Sequence, residues 1–417
     1  MTKEQKYIGG AFLIGVVYRL LMGLQGIDAA DVGFRMTFYQ NIFTHPESVP
    51  DYFNYYLTGL VGGLWQLAFG QYGLLGFRLL ETLTLTAAIA LIYLAFRPWL
   101  TSAKVAAIAI LVSFLFPSSI STFHYNTLSF LLVTASVYAI MRWYQNEQPR
   151  WLVITGLFIG VSFFARFLNI TLAALVVVPF VKGFHDSIKR AFVNANIYIC
   201  GLLTGCLLVC IIMGLLGHWP YVMNALHQNS FICDTDHTAI GLFGIYMKGY
   251  LNIALQIVAI VFIAWTYGDV GHLPKTLRVS IRVLLLCVLF VLVLTSLPYL
   301  SAVSVCTLLL VTTRRFSHLA FYPLLCAYLF PLGSADGISA TFLWCGGLLI
   351  IPTACCYSRL VSKWQRNVLC ALCLTISVLM IYRMGTKVYA ATKHPVTNGT
   401  QMAHYDGNMD IYKTTHP

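Results

Sequence analysis

Charge is what this sequence has least of. Of its 417 residues, 10% are Asp, Glu, Lys or Arg, against 59% hydrophobic. A water-soluble domain carries about 25% charged residues, so this chain cannot cover a water-facing surface of its size. Acids are scarcer still, 14 against 26 Lys and Arg. Gly/Ser and Pro-rich linkers are missing, which leaves no boundary for a second domain. Internal repeats are missing too, and with them the inverted halves that many transporters are built from. Cysteine pairs of metal-site type are also lacking. Cys370 and Cys373 have Cys-x-x-Cys spacing once, inside an apolar run, with no second pair. The 12 cysteines therefore read as small buried hydrophobes, and Cys233 stands alone in a polar segment.

What remains is one apolar run after another. Helices satisfy their own backbone hydrogen bonds in lipid and are the natural spanning element. The sequence predicts an all-α, polytopic transmembrane helical bundle. Its first span runs from Tyr7 to Gly26; lacking a small-residue cleavage site, it reads as a retained anchor. Further spans are expected at 73–95, 104–117, 125–142, 151–165, 169–182, 192–216, 249–267, 283–299, 300–313, 318–331, 338–356 and 367–384. That makes about thirteen, some shorter than the ~20 residues an upright span prefers. Residues 1–384 form one membrane domain, and 385–417 a short polar extracytoplasmic tail with a sequon at Asn398-Gly-Thr400.

The net charge of +12 is placed as a membrane protein places it, so nucleic acid is not an expected partner. Seventeen of the 26 basic residues fall in short loops assigned to the cytoplasmic side, among them Lys3, Arg97, Lys104, Arg142, Arg150, Lys182 and Arg190. Nine of the 14 acids, among them Asp28, Asp31, Asp234 and Asp336, fall on the outer side. This pattern makes residues 27–72 one long outer loop. Met36 to Phe43 is expected as a short amphipathic helix, and Tyr52 to Phe69 as an apolar stretch lying in the interface. As a span, that stretch would turn every later basic loop outward.

Within the loop, Asp28-Ala-Ala-Asp31-Val-Gly33-Phe-Arg35 carries three charged residues in eight. Ionisable groups beside a span point to function, though Asp31 also suits a helix cap. Other outer segments are expected to face the same cavity: His124-Tyr125-Asn126, Arg166, and the loop 217–248 with His218, His227, His237 and Lys248. The histidine spacing matches no helical ligand pair, so no metal site is read. Arg78 and Glu81, three apart, are expected to neutralise each other.

A long outer loop directly after the first span, opened by an Asp and carrying interfacial helices, resembles the GT-C superfamily of membrane glycosyltransferases. The similarity is to bacterial relatives of protein O-mannosyltransferases and aminoarabinose transferases. Asp31 matches the Asp that begins that family's first loop, and Val32 stands where many members have Glu. Phe123-His-Tyr-Asn-Thr-Leu-Ser129 and Gly160-Val-Ser-Phe-Phe-Ala-Arg166 resemble segments of such chains. The resemblance implies a polyprenyl-phosphate-linked sugar donor, a lipid, glycan or protein acceptor, and a site on the outer face of a bacterial inner membrane. No resident cofactor is implied, and the residues leave a divalent cation open.

The chemistry of such a transfer needs a carboxylate to take the acceptor proton. It also needs donors for the departing phosphate. Asp31, with Asp28 beside it, is the expected base. Arg166 is the expected phosphate ligand through its two-pronged guanidinium, with Arg35 and Lys248 behind it and His124, Tyr125, Asn126 and His237 as further substrate contacts. A single displacement with one base gives inversion at the anomeric carbon. The rival readings are a flippase for lipid-linked sugars and a surface-glycan ligase or polymerase.

Overall fold

The computed structural model describes residues 2–23, 27–28, 31–116, 122–231, 239–295, 298–312, 317–332, 337–357, 363–385 and 404–405. The chain is all-α. Among the described residues sixteen α-helices follow one another: α1 (Lys3–Met22), α2 (Asp31–Asn41), α3 (Tyr56–Phe69), α4 (Gly73–Phe96), α5 (Ala103–Leu115), α6 (Tyr125–Asn146), α7 (Pro149–Ala165), α8 (Val177–Phe184), α9 (Ile188–Leu215), α10 (Trp219–Phe231), α11 (Ala239–Asp269), α12 (Lys275–Thr295), α13 (Pro298–Thr312), α14 (Ser317–Leu329), α15 (Gly337–Tyr357) and α16 (Lys363–Gly385). The one extended pairing among the described residues joins Ile27–Asp28 to His404–Tyr405, antiparallel.

Helical segments overlie the expected spans, most within a few residues at their ends; α11 starts ten residues before the expected 249 and α12 eight before the expected 283, and the expected 169–182 is a 3₁₀ segment, Phe167–Val176, running into the short α8. Among the described residues five segments have the length and apolarity to cross a membrane: Tyr52–Trp99, Tyr125–Asn146, Phe167–Phe184, Ile188–Leu215 and Phe243–Tyr267. The first is two helices broken at Gly73, whose φ of +50 stops α3 from running into α4. Shorter apolar helices, α5 and α7 among them, fill the space between.

Sequence decides which helices meet. α7 presents Gly156 and Gly160, and α9 presents Gly201 and Gly205, each pair one turn apart. A methyl group on any of the four would collide with a backbone carbonyl oxygen of the facing helix, that of Tyr198, Leu202, Val153 or Leu157. The missing side chains bring the two backbones together, as small residues do between helices in lipid. In the same way Gly59, Gly62 and Gly63 of α3 receive Phe38, Tyr39, Ile42 and Phe43 of the α2 segment, so the first loop folds as a tight helical hairpin. α2 begins at Asp31, five residues before the expected start at Met36.

One end of the bundle gathers ion pairs. There Glu4 pairs with Arg97 at 3.6 Å, and Lys104 lies over the Tyr7 ring. Glu147 takes Lys182 at 3.0 Å and Arg190 at 2.5 Å. Lys182 first, then Arg190, holds the Glu147 carboxyl below its usual range. These cations belong to the loops assigned to the cytoplasm. The helix ends opposite them carry the first loop and the candidate site.

Candidate active site

Three segments far apart in sequence are stitched together at that opposite end. Phe123 donates its N–H to the Phe77 carbonyl at 3.3 Å. Its own carbonyl accepts from the Tyr39 hydroxyl at 3.0 Å. The Thr58 hydroxyl donates to the Ala165 carbonyl at 3.0 Å. α2, α3, α4, α6 and α7 therefore converge on one point.

A cavity of about 120 Å³ opens there. Phe34, Arg35, Phe38 and Tyr39 of α2 form one wall; Tyr52, Tyr55 and Thr58 form the next, and Tyr125 closes it. Tyr55 stacks on Tyr125 with centroids 4.1 Å apart and rings 10° from parallel. The Arg35 guanidinium sits 5.5 Å from the Tyr125 ring centroid. Arg35 is the one charged side chain in this lining.

His124 precedes Tyr125 as the extended residue that starts α6. It is buried, and its Nδ1 is 2.7 Å from the Thr127 hydroxyl. Burial first, then Arg35, Arg19 and Arg166, holds its imidazole well below the usual value, so it is neutral near pH 7. Asn126, half-buried, has a buried Oδ1 without a hydrogen-bond partner among the described residues.

Arg166 ends α7 in an extended conformation, and a 3₁₀ segment, Phe167–Val176, follows. Buried Asn169 holds this break, donating to Ser129 Oγ at 2.8 Å and to the Ser162 carbonyl at 2.9 Å. Arg166 is 3% exposed, donates to the Phe330 carbonyl at 3.3 Å and lies over the Phe330 ring. Arg35 and Arg166 both act on Tyr55 and on His124. The structure thus brings Arg35, His124, Tyr125 and Arg166 together. It leaves Lys248 exposed on α11, away from the cavity lining. Asp31 opens α2 one turn before Arg35, and Asp28 lies in the short extended pairing. The side chains of both acids lie outside the described residues, as do His237, Asp234 and Asp336.

One expected pairing is replaced by another. Glu81 does not pair with Arg78 on its own helix. It faces Arg19 of α1 at 3.9 Å, with neither side chain exposed. Arg78 donates to the Gly23 carbonyl at the end of α1. The i,i+3 spacing gave Arg78 a short-range partner, but α1 packs against α4 and places a second guanidinium closer. The signal was present: Glu81 is the one acid within the expected spans, and Arg19 a cation within the first. Tyr39, Tyr52 and Tyr55 were missed as cavity residues because their segments read as interfacial helices. Among the described residues, no group of three His, Cys, Asp or Glu stands where it could share a metal ion.

Residues 61–218 match the family model of dolichyl-phosphate-mannose-protein mannosyltransferase, a GT-C type family. The match spans α3 to α9 and contains His124, Tyr125, Asn126 and Arg166; Asp28, Asp31 and Arg35 precede it. No curated protein and no solved structure matches the chain. The match covers less than half of the chain; with the apolar helices it supports a membrane glycosyltransferase.

Proposed function

We propose that this similarity to GT-C mannosyltransferases reflects the reaction itself: transfer of a sugar from a polyprenyl-phosphate donor to an extracytoplasmic acceptor, with inversion. The acceptor is a hydroxyl of a lipid, glycan or protein, and the setting is a bacterial inner membrane with the site on its outer face. The observation that carries this reading is the convergence of Arg35, His124, Tyr125 and Arg166 at the end of the bundle opposite its basic loops.

Asp31 acts as the base. It stands one helical turn before Arg35 on α2, a spacing that puts both positions on one helix face. The acceptor O–H gives its proton to the Asp31 carboxylate as its oxygen bonds to the anomeric carbon. The bond from that carbon to the phosphate oxygen breaks, and the electron pair leaves with the phosphate. Arg166 and Arg35 stabilise that departing charge, where preorganised donors contribute most. Asp28 orients the acceptor or Asp31.

The test uses purified protein in nanodiscs with polyprenyl-phosphate sugars. Asp31→Asn should bind donor normally and lose turnover by ~10²–10⁴-fold. Asp28→Asn should lose clearly less. Near-normal transfer by the double variant would take the loop out of the chemistry and favour a flippase. A product with retained anomeric configuration would rule out the single displacement.

A further inference from the structure

Four consecutive carbonyls at the end of α14 are each held by a side chain from another part of the fold. Tyr250 of α11 donates its hydroxyl to the Tyr328 carbonyl at 2.6 Å. Tyr246, one turn earlier on α11, donates to that of Pro331 at 3.1 Å. Between them Thr171 donates to Leu329 at 3.0 Å, and Arg166 donates from Nη1 to Phe330 at 3.3 Å. The last carbonyls of a helix have no partner within it and carry partial negative charge. Here α11 grips the outer two, and the segment that starts at Arg166 grips the inner two. Both α11 and α14 lie beyond the residues that match the family model.

The guanidinium at this helix end is a buried cation. Arg166 is 3% exposed, and among the described residues no carboxylate pairs with it. A buried charge without a counter-ion is costly. The α14 carbonyls offset part of that cost, and the Phe330 ring beside the guanidinium adds to the effect. An anion would supply the rest. The Phe330 carbonyl takes a proton of Nη1, one of the five N–H groups of the fork. The Nε–Nη2 edge has no hydrogen-bond partner among the described residues. Two N–H groups side by side on such an edge match two oxygens of one phosphate. The root of the side chain is fixed beside the cavity, because the carbonyl of Ala165 accepts from the lining residue Thr58.

We propose that Tyr246 and Thr171 are positioning residues for Arg166. They fix the end of α14, the Phe330 carbonyl then anchors Nη1, and the planar group presents its Nε–Nη2 edge to the donor phosphate. The phosphate rests on the glycosyl-transfer reading; the clamp on the carbonyls does not. A guanidinium is rigid, so one anchored nitrogen sets the direction of the other two. Tyr246→Phe keeps the ring and removes the hydroxyl, which lets the end of α14, and the anchor with it, move away.

Geranyl phosphate offers a phosphate on a short prenyl chain without the sugar. Its binding to the purified protein in nanodiscs is measured by titration calorimetry, with geraniol as the blank. Wild type should bind geranyl phosphate well above geraniol. Tyr246→Phe should weaken this binding roughly tenfold, the worth of one hydrogen bond to a charged group. Arg166→Lys keeps the charge and loses the fork, so in that background Tyr246→Phe should cost little more, as coupled residues require. Thr171→Val should repeat the loss and Thr171→Ser recover it, and this pair decides should Tyr246→Phe fail to fold. Equal losses from Tyr246→Phe with Arg166 and with Lys at that position would make its role structural only and overturn the proposal. So would unchanged affinity in both Tyr246→Phe and Thr171→Val, or a wild type that binds geranyl phosphate no better than geraniol. Coupled losses in a protein that transfers no sugar would remove the glycosyl-transfer reading and keep the clamp. Sugar transfer with uncoupled losses would do the reverse.

Discussion

Thr58 donates its hydroxyl proton to the carbonyl of Ala165 at 3.0 Å, and Ala165 is the residue before Arg166. Thr58 also lines the cavity. This single bond therefore couples the cavity wall to the position of the guanidinium.

The first prediction concerns that coupling. Thr58→Val keeps the shape and removes the donor, leaving the Ala165 carbonyl buried without it. Stability should fall by about 1–3 kcal/mol, the cost of stranding a buried acceptor, and Thr58→Ser should recover most of the loss. Thermal denaturation in detergent measures both. If the valine variant melts with wild type, the bond does not hold α3 against α7.

The second concerns the glycine contact between α7 and α9. Gly156→Ala and Gly201→Ala each place a methyl group against a carbonyl of the opposite backbone. Backbone atoms cannot swing aside as a side chain can, so the helices must separate. Overpacking of this kind costs typically 1–3 kcal/mol. Gly214, on the same helix as Gly201, has nothing within 4 Å of its added methyl. Gly214→Ala should be neutral or slightly stabilising, since Ala is the better helix former. Equal melting temperatures for Gly156→Ala and Gly214→Ala would show that the close approach does not matter.

Much of this architecture is written in the sequence, for a physical reason. A helix that must bury itself in lipid announces itself by a long, largely apolar run, as Gly73–Phe96 does despite Arg78 and Glu81, and Ile188–Leu215 does past its first turns. Basic loops mark one end of the bundle in the same local way. What lies between helices is not local. Tyr39 and Phe123 are 84 residues apart, and no spacing along the chain says that they touch. Glu81 had a plausible partner three residues away and took one on another helix. His124, Tyr125 and Arg166 were legible because polar residues at the ends of apolar runs are conspicuous. Tyr52 and Tyr55 were not, because aromatic rings at an interface look the same whether they meet lipid or wall a cavity.

The last prediction follows from His218. It comes directly after Gly217, whose φ of +69 turns the chain out of α9, and it is 4% exposed. Its Nδ1 is 3.3 Å from the Tyr56 hydroxyl, and its ring also bonds the Ile42 backbone. Phe43, Phe53 and Tyr221 surround it. One imidazole thus docks the start of α10 onto the first loop. Burial pulls its pKa down, and the bond to Ile42 opposes this only in part. The folded value therefore lies below the unfolded one, near 6.5. Above about pH 7 both states are neutral and the docking is at full strength. As pH falls through about 6.5 the unfolded chain takes up the proton first, so stability is lost progressively towards the folded value. His124, lowered in the same direction, adds a similar slope of its own. His218→Gln removes only one of the two. The melting-temperature difference between wild type and His218→Gln, followed from pH 8 to pH 5.5, should shrink as the pH drops. A difference that stays constant across that range would mean that His218 titrates alike in both states, and that the α10 contact does not depend on its neutral form.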